Sequence, residues 1–225
     1  MKVLANNFVY LSNIESSILQ NLRYASSDNF VGCKISGYNA NKVIIKEKAA
    51  LRLKDVQKYL MGKGYTLVIY DAYRPRTAVQ HFVKWSQNDD ISTKKYYYPT
   101  LGKKTLFTKG YISLKSDHCK GYTFDLTIMP LQSSLKKISI SERILKNGDK
   151  ISFLDDGTLD MGTSFDCFHE ASHHNSDLIS ETAKNNRKLL ESTMQKFGFS
   201  TIDSEWWHYT LFDVKATEDY DFPIE

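Results

Sequence analysis

The sequence has no run of 18 consecutive apolar residues, so no membrane-spanning helix is expected. Its three cysteines, Cys33, Cys119 and Cys167, are odd in number and widely spaced, which leaves no readable disulfide framework. A basic stripe interleaved with aromatics is also missing. Thirty Lys and Arg against 26 Asp and Glu leave a formal charge of only +4, with the lysines scattered, so nucleic acid is not an expected partner. The opening MKVLANNFVYL carries a single Lys, and Asn6 and Asn7 break its apolar run, which makes it a poor secretory leader. Internal repeats, low-complexity tracts and clear linkers are lacking too. A reducing, cytoplasmic setting fits these absences best.

What is present suffices for a packed core. The 225 residues are 41% apolar and 13% aromatic, the size of one ordinary domain with room for an insertion. Ala50, Leu53, Val56/Gln57 and Leu60 recur at helical spacing over 46–61, and Gly62 and Gly64 stop that helix. A β-rich run follows from Tyr65 to Tyr70 and ends at the Arg74-Pro75 step. Residues 76–87 read as a helix with Val79, Phe82 and Val83 on one face, and 88–110 as a long polar loop with aromatic spots. The stretch 111–129 begins and ends like strands, with Gly121 allowing a turn between them. Residues 131–158 are rich in Ser, Lys and Asp and contain the hairpin signals Asn147-Gly148 and Asp156-Gly157, a pattern expected of a surface insertion. A helix is expected over 178–197 with Gly198 as its stop, and EWWHYTLFDV (205–214) reads as a core strand. Strands and helices do not alternate regularly. The expectation is one α+β domain over 1–225, with a mainly antiparallel central sheet flanked by helices.

Two sets of residues compete for a metal. A catalytic zinc site needs about three protein ligands and an open position for water. The first set is CFHEASHH (167–174), whose H-E-x-x-H would put His169 and His173 on one face of a helix, with Glu170 as base and Glu191 as a third ligand. Its flanks, Gly162, Asp166 and Asn175-Ser176-Asp177, favour turns and caps, so a polar loop with backbone-bonded imidazoles is the better account. The second set is dispersed through SDHCKGYTFDLT (116–127) and SEWWHY (204–209). His118 and Asp125 stand on either side of a Gly-containing turn, and His208 lies in a strand where a buried imidazole wants a partner. Glu205 and His208 would face opposite sides of an ideal strand, so sharing a site requires a bulge. A core histidine, a turn aspartate and a solvated glutamate explain the same residues without a metal. Composition and spacing leave the two sets level. Arg74, just past a strand end, is either a surface partner of Asp71 or a fixed cation for an anionic substrate or transition state.

Five blocks taken together break the tie. LRYASSDNFVG (22–32), GYTLVIYDAYRPRTAV (64–79), SDHCKGYTFDLT (116–127), MGTSFDCFHEASHH (161–174) and EWWHY, with a C-terminal DFP, run nearly end to end. In this order they resemble the zinc-dependent D-alanyl-D-alanine dipeptidases, cytoplasmic enzymes associated with vancomycin resistance. That family shares a superfamily with D,D-carboxypeptidases and the hedgehog-type signalling domain. The family pattern S-x-H-x-x-G-x-x-x-D followed by E-x-x-H falls on Ser116, His118, Gly121, Asp125, Glu205 and His208. The resemblance therefore implies one zinc ion on His118, Asp125 and His208, with Glu205 as general base and acid. It implies Arg74 at the reacting carbonyl oxygen, and Tyr24, Ser116 and Asp166 near the amino end of a small dipeptide substrate.

Some residues depart from the family pattern. Cys119-Lys120 and Tyr122-Thr123-Phe124 replace smaller or different residues, Thr123 standing where Ala is common, and the 131–158 segment is longer than in compact relatives. Cys119 is read as a bystander to the zinc. Two rival functions stay open: a D,D-carboxypeptidase trimming peptidoglycan stems, and a non-catalytic zinc or cell-wall-peptide binding module. Oligomeric state is not legible.

Overall fold

The computed structural model describes Leu4, residues 6–214 and residues 217–225. Phe8–Tyr10 (β1) leads through a short helix, Leu11–Ile14 (α1), to Leu19–Gln20 (β2). After a long connection come Ile44–Lys46 (β3), Glu47–Met61 (α2), Tyr65–Asp71 (β4) and Arg76–Ser86 (α3). Two short helices, Lys94–Tyr97 (α4) and Lys103–Thr108 (α5), precede Thr123–Pro130 (β5). Ser139–Ile144 (β6) and Lys150–Asp155 (β7) form a hairpin, and Glu181–Lys196 (α6), Phe199–Ile202 (β8) and Glu205–Leu211 (β9) complete the order.

The central sheet runs β2-β4-β5-β9-β8. Only its β2–β4 edge is parallel; the other pairings are antiparallel. The fold is thus α+β with a mainly antiparallel sheet. Helix α2 buries Ala49, Ala50, Leu53, Val56, Gln57 and Leu60, the i, i+3/i+4 stripe its sequence carries. Gln57 sits in that apolar stripe because its amide bonds Thr66 Oγ1 at 2.8 Å and accepts from Leu67 N at 2.9 Å, pinning the start of β4. Helices α2 and α6 pack on β4 and β8 and on each other. Helix α6 starts at Glu181, three residues later than its periodicity suggests, because Ser180 caps it by accepting from Ala183 N. One apolar core joins elements from Phe8 to Ile224.

Two stretches differ from their sequence reading. The 88–110 region contains α4 and α5, not a continuous loop, because buried Tyr97 and Leu106 anchor each short helix to the core. Residues 111–116 form bends rather than a strand, and Asp117–Lys120 is a 3-10 turn. That turn closes on Gly121 at φ 79°, where a Cβ would meet the Phe8 ring at 2.4 Å, so the position demands glycine. In the 131–158 segment, Asn147-Gly148 lies in the turn between β6 and β7, whereas Asp156-Gly157 follows β7. Leu145 and Ile151 of this hairpin are buried in a small second cluster with Cys167 and Ile179.

Candidate active site

Sheet register puts three polar side chains in one row. Asp71 of β4 stands opposite Asp125 of β5, and Asp125 opposite His208 of β9. Two facing carboxylates repel one another. Arg74 offsets this by bridging them, its Nη2 lying 2.9 Å from Asp71 Oδ2 and 3.3 Å from Asp125 Oδ2. Its Nε also donates to Asp71 Oδ2 at 2.9 Å, and its guanidinium lies over the Tyr24 and Phe82 rings. The Asp71–Arg74 pair considered as a surface contact is therefore a buried one.

His118 enters from the 3-10 turn before β5. Its Nδ1 bonds the Ala72 carbonyl at 2.7 Å, which sets the tautomer and leaves Nε2 a free lone pair. Arg74 N donates back to the His118 carbonyl at 3.3 Å, so the turn and the end of β4 hold each other in place.

The three donor atoms form a nearly equilateral triangle. His118 Nε2 and Asp125 Oδ1 are 3.3 Å apart, His208 Nδ1 and Asp125 Oδ1 3.2 Å, and the two imidazole nitrogens 3.4 Å. Donors bound tetrahedrally at ~2.0–2.1 Å stand ~3.3–3.4 Å from one another, so the spacing suits a zinc-sized cation. Among the described residues Asp125 Oδ1 is buried without a hydrogen-bond partner, as suits an oxygen that would ligate a cation. Among the described residues this is the one cluster of three or more His, Cys, Asp or Glu side chains able to hold a metal.

Glu205 joins them through an irregularity in β9. Thr201 pairs with Tyr209 but the next residue, Ile202, pairs with Glu205, so Trp206, Trp207 and His208 are extra residues on the β9 side. This bulge lets Glu205 and His208 share one side, with Glu205 Oε2 3.6 Å from His208 Nδ1. Glu205 is 7% exposed rather than solvated. Burial pushes its carboxyl well above the ordinary range, helped by the charges of Asp125 and Asp166 and opposed by Arg74. His208 is pushed down, chiefly by burial, which favours the neutral ring a metal requires. Burial alone would raise Asp125, but the neighbouring imidazoles of His118 and then His208 outweigh it and hold the carboxyl below its ordinary range.

Asp166 has a positive φ of 59°, a left-handed conformation that Asp tolerates better than most residues. It accepts a hydrogen bond from the Tyr24 hydroxyl at 3.0 Å. Burial, then the Asp125 charge, lifts its carboxyl well above the usual range. Ser116 Oγ lies 3.4 Å from Arg74 Nη1. All eight residues that the resemblance assigns to the site, including Tyr24, Ser116 and Asp166, line one cavity of ≈ 210 Å³.

The H-E-x-x-H segment folds otherwise. Only Glu170–Ser172 is helical, as a single 3-10 turn. His169 caps that turn by accepting from Ala171 N and reaches Asp149 at 3.2 Å. His173 bonds the Tyr111 hydroxyl, and His174 lies 3.8 Å from Glu191, so no two of the three converge with Glu191 on one point.

Sequence reasoning did not assign Asp71 a role. Its Oδ1 accepts from the Tyr38 hydroxyl at 2.6 Å while Oδ2 holds Arg74, and its place three residues before Arg74 was the available signal. The aromatic wall of the cavity, which includes Phe30, Phe82, Phe168 and Trp207, was equally unread, since its members come from four separate segments.

Known proteins match this chain over almost its whole length. A family model described as "D-ala-D-ala dipeptidase" matches residues 4–138 and 150–224, leaving out part of the β6–β7 hairpin. A D-alanyl-D-alanine dipeptidase of Enterococcus faecalis (strain ATCC 700802 / V583) is 34% identical over 96% of this chain and 96% of its own. One from Enterococcus faecium is 33% identical over 97% and 98%, and one from Streptomyces coelicolor (strain ATCC BAA-471 / A3(2) / M145) 31% over 98% and 100%. With both halves of the polar row inside the matched spans, the chain belongs to this D-Ala-D-Ala dipeptidase family of peptidases and is a hydrolase.

Proposed function

We propose that this protein hydrolyses the dipeptide D-Ala-D-Ala to two D-Ala, using one zinc ion held by His118, Asp125 and His208. The observation that carries this reading is the triangle of donors 3.2–3.4 Å apart inside a small cavity, with a buried carboxyl, Glu205, beside it. The names of the relatives supply the substrate. A cavity of ≈ 210 Å³ is small beside the ~300–1,000 Å³ of common ligand sites, which favours a dipeptide over a long peptide.

When bound, zinc supplies Lewis acidity and brings the pKa of a water molecule towards ~7. Glu205 takes the proton of the attacking water and later delivers it to the leaving amine nitrogen as the peptide C–N bond breaks. Arg74, fixed on Asp71 and Ser116, keeps a cation at the developing oxyanion with no reorganisation. Asp166, oriented by Tyr24, meets the substrate ammonium. A peptide with a blocked amine leaves that carboxyl buried without its partner, a penalty that selects free dipeptides. We further read residues 1–225 as one peptidase domain carrying 131–158 as an insertion, working in the cytoplasm with its three cysteines free.

The test is release of D-Ala from D-Ala-D-Ala and from a pentapeptide ending in it, with and without chelator. Chelator-sensitive release from the dipeptide alone is expected. Release mainly from the pentapeptide would point to a D,D-carboxypeptidase, and none from either to a binding module.

A further inference from the structure

Charge balance around the cavity singles out Lys115. Four acidic residues line it, Asp117, Asp125, Asp166 and Glu205, against two Lys or Arg cations, Arg74 and Lys115. Arg74 is committed: Nε and Nη2 serve Asp71, Nη2 also reaches Asp125, and Nη1 lies against Ser116. Asp117 at the rim is paired with Lys120 at 2.6 Å. The Lys115 ammonium is exposed, and among the described residues it forms no ion pair or side-chain hydrogen bond.

Its backbone is pinned nonetheless. Ser113 Oγ accepts from Lys115 N at 3.1 Å and donates to the Lys115 carbonyl at 2.7 Å. Lys115 also directly precedes Ser116, which touches Arg74. An exposed cation therefore lines the cavity on a loop whose backbone Ser113 fixes, with no ion-pair or side-chain hydrogen-bond partner among the described residues.

A dipeptide brings two charges into such a site. Its ammonium has Asp166, but the Arg74 guanidinium is already engaged, which leaves Lys115 as the uncommitted Lys or Arg cation lining the cavity among the described residues. We infer that Lys115 is a specificity-determining residue that receives the C-terminal carboxylate of the dipeptide and selects free acids over C-terminally blocked peptides. This rests on the dipeptidase reading above. Because the ammonium is exposed, the contact acts across a wet rim: it strengthens capture of substrate and weakens with salt.

The experiment compares kcat and KM for D-Ala-D-Ala and for its C-terminal amide, using wild type, Lys115→Met and Lys115→Arg at low and high ionic strength. For Lys115→Met, KM on the free acid should rise about two- to fivefold, the size of an exposed ion pair, with kcat little changed. The amide should be turned over equally by wild type and Lys115→Met, so the preference for the acid collapses. Lys115→Arg should retain the preference, and the salt dependence of KM should flatten only in Lys115→Met. An active wild type whose acid-over-amide preference survives Lys115→Met overturns this inference and leaves the dipeptidase reading intact. A wild type inactive on both compounds overturns the two together.

Discussion

Two histidine-bearing regions behave in opposite ways. His169, His173 and His174 are neighbours in the chain, yet each ring spends itself locally: on a turn, on the Tyr111 hydroxyl, or in a buried spot near Glu191. His118 and His208 are 90 residues apart in sequence, yet their nitrogens lie 3.4 Å apart with Asp125 between them. The difference is one of rigidity and burial. The first group rides on a 3-10 turn of three residues, too short to line up an i, i+4 pair. The second is fixed by sheet register and by a histidine tautomer set from a backbone carbonyl.

The contrast can be broken most directly at the metal. His118→Ala or His208→Ala should reduce bound zinc from about one equivalent to none and abolish turnover, because two donors rarely hold the ion. His169→Ala should keep the full zinc content and lose only about 1 kcal/mol of stability from its cap. Elemental analysis of the purified variants decides it, and an empty site in His169→Ala would reverse the assignment.

A smaller effect separates holding the metal from doing chemistry. Glu205→Gln should retain zinc while kcat falls about 10²- to 10⁴-fold, the range for loss of a general base. Near-normal kcat in that variant would remove Glu205 from the mechanism.

The smallest effect belongs to the first region. Burial, then the Arg187 charge, lowers the His174 pKa to about 4, so its ring is neutral in the folded protein. The unfolded chain takes up that proton near ~6.5. Stability from this group is therefore complete above about 6.5, falls as pH drops towards 4, and levels off below, a loss of up to about 3 kcal/mol. Denaturant melts at pH 7 and pH 4.5 should show a shallower pH dependence in His174→Gln than in wild type. Equal slopes would mean that His174 does not carry the effect.

Much of the architecture was legible because local patterns agree with the tertiary answer. The stripe of α2, the run of β4 and the body of α6 announce themselves in composition and spacing. The short helices α4 and α5 did not, since α4 buries only Tyr97 and α5 only Lys103 and Leu106, too few to set a readable period. At the site, resemblance pointed to the eight cavity residues, whereas composition and spacing alone left two histidine sets level. Glu205 shows why: strand alternation puts it opposite His208, and only the three extra residues of β9 bring them together. Asp71 entered the sequence reading only as one alternative partner of Arg74, because nothing local reveals its burial or the Tyr38 hydroxyl against it.

The sequence by itself determined which residue types were available and where helices and strands could begin and end: Gly121 for a left-handed turn, Ser180 for a cap, apolar stripes for burial. Only the tertiary structure decided which histidines meet. Convergence on one point depends on strand register, a bulge and backbone hydrogen bonds between distant segments, and those are long-range quantities that no five-residue pattern encodes.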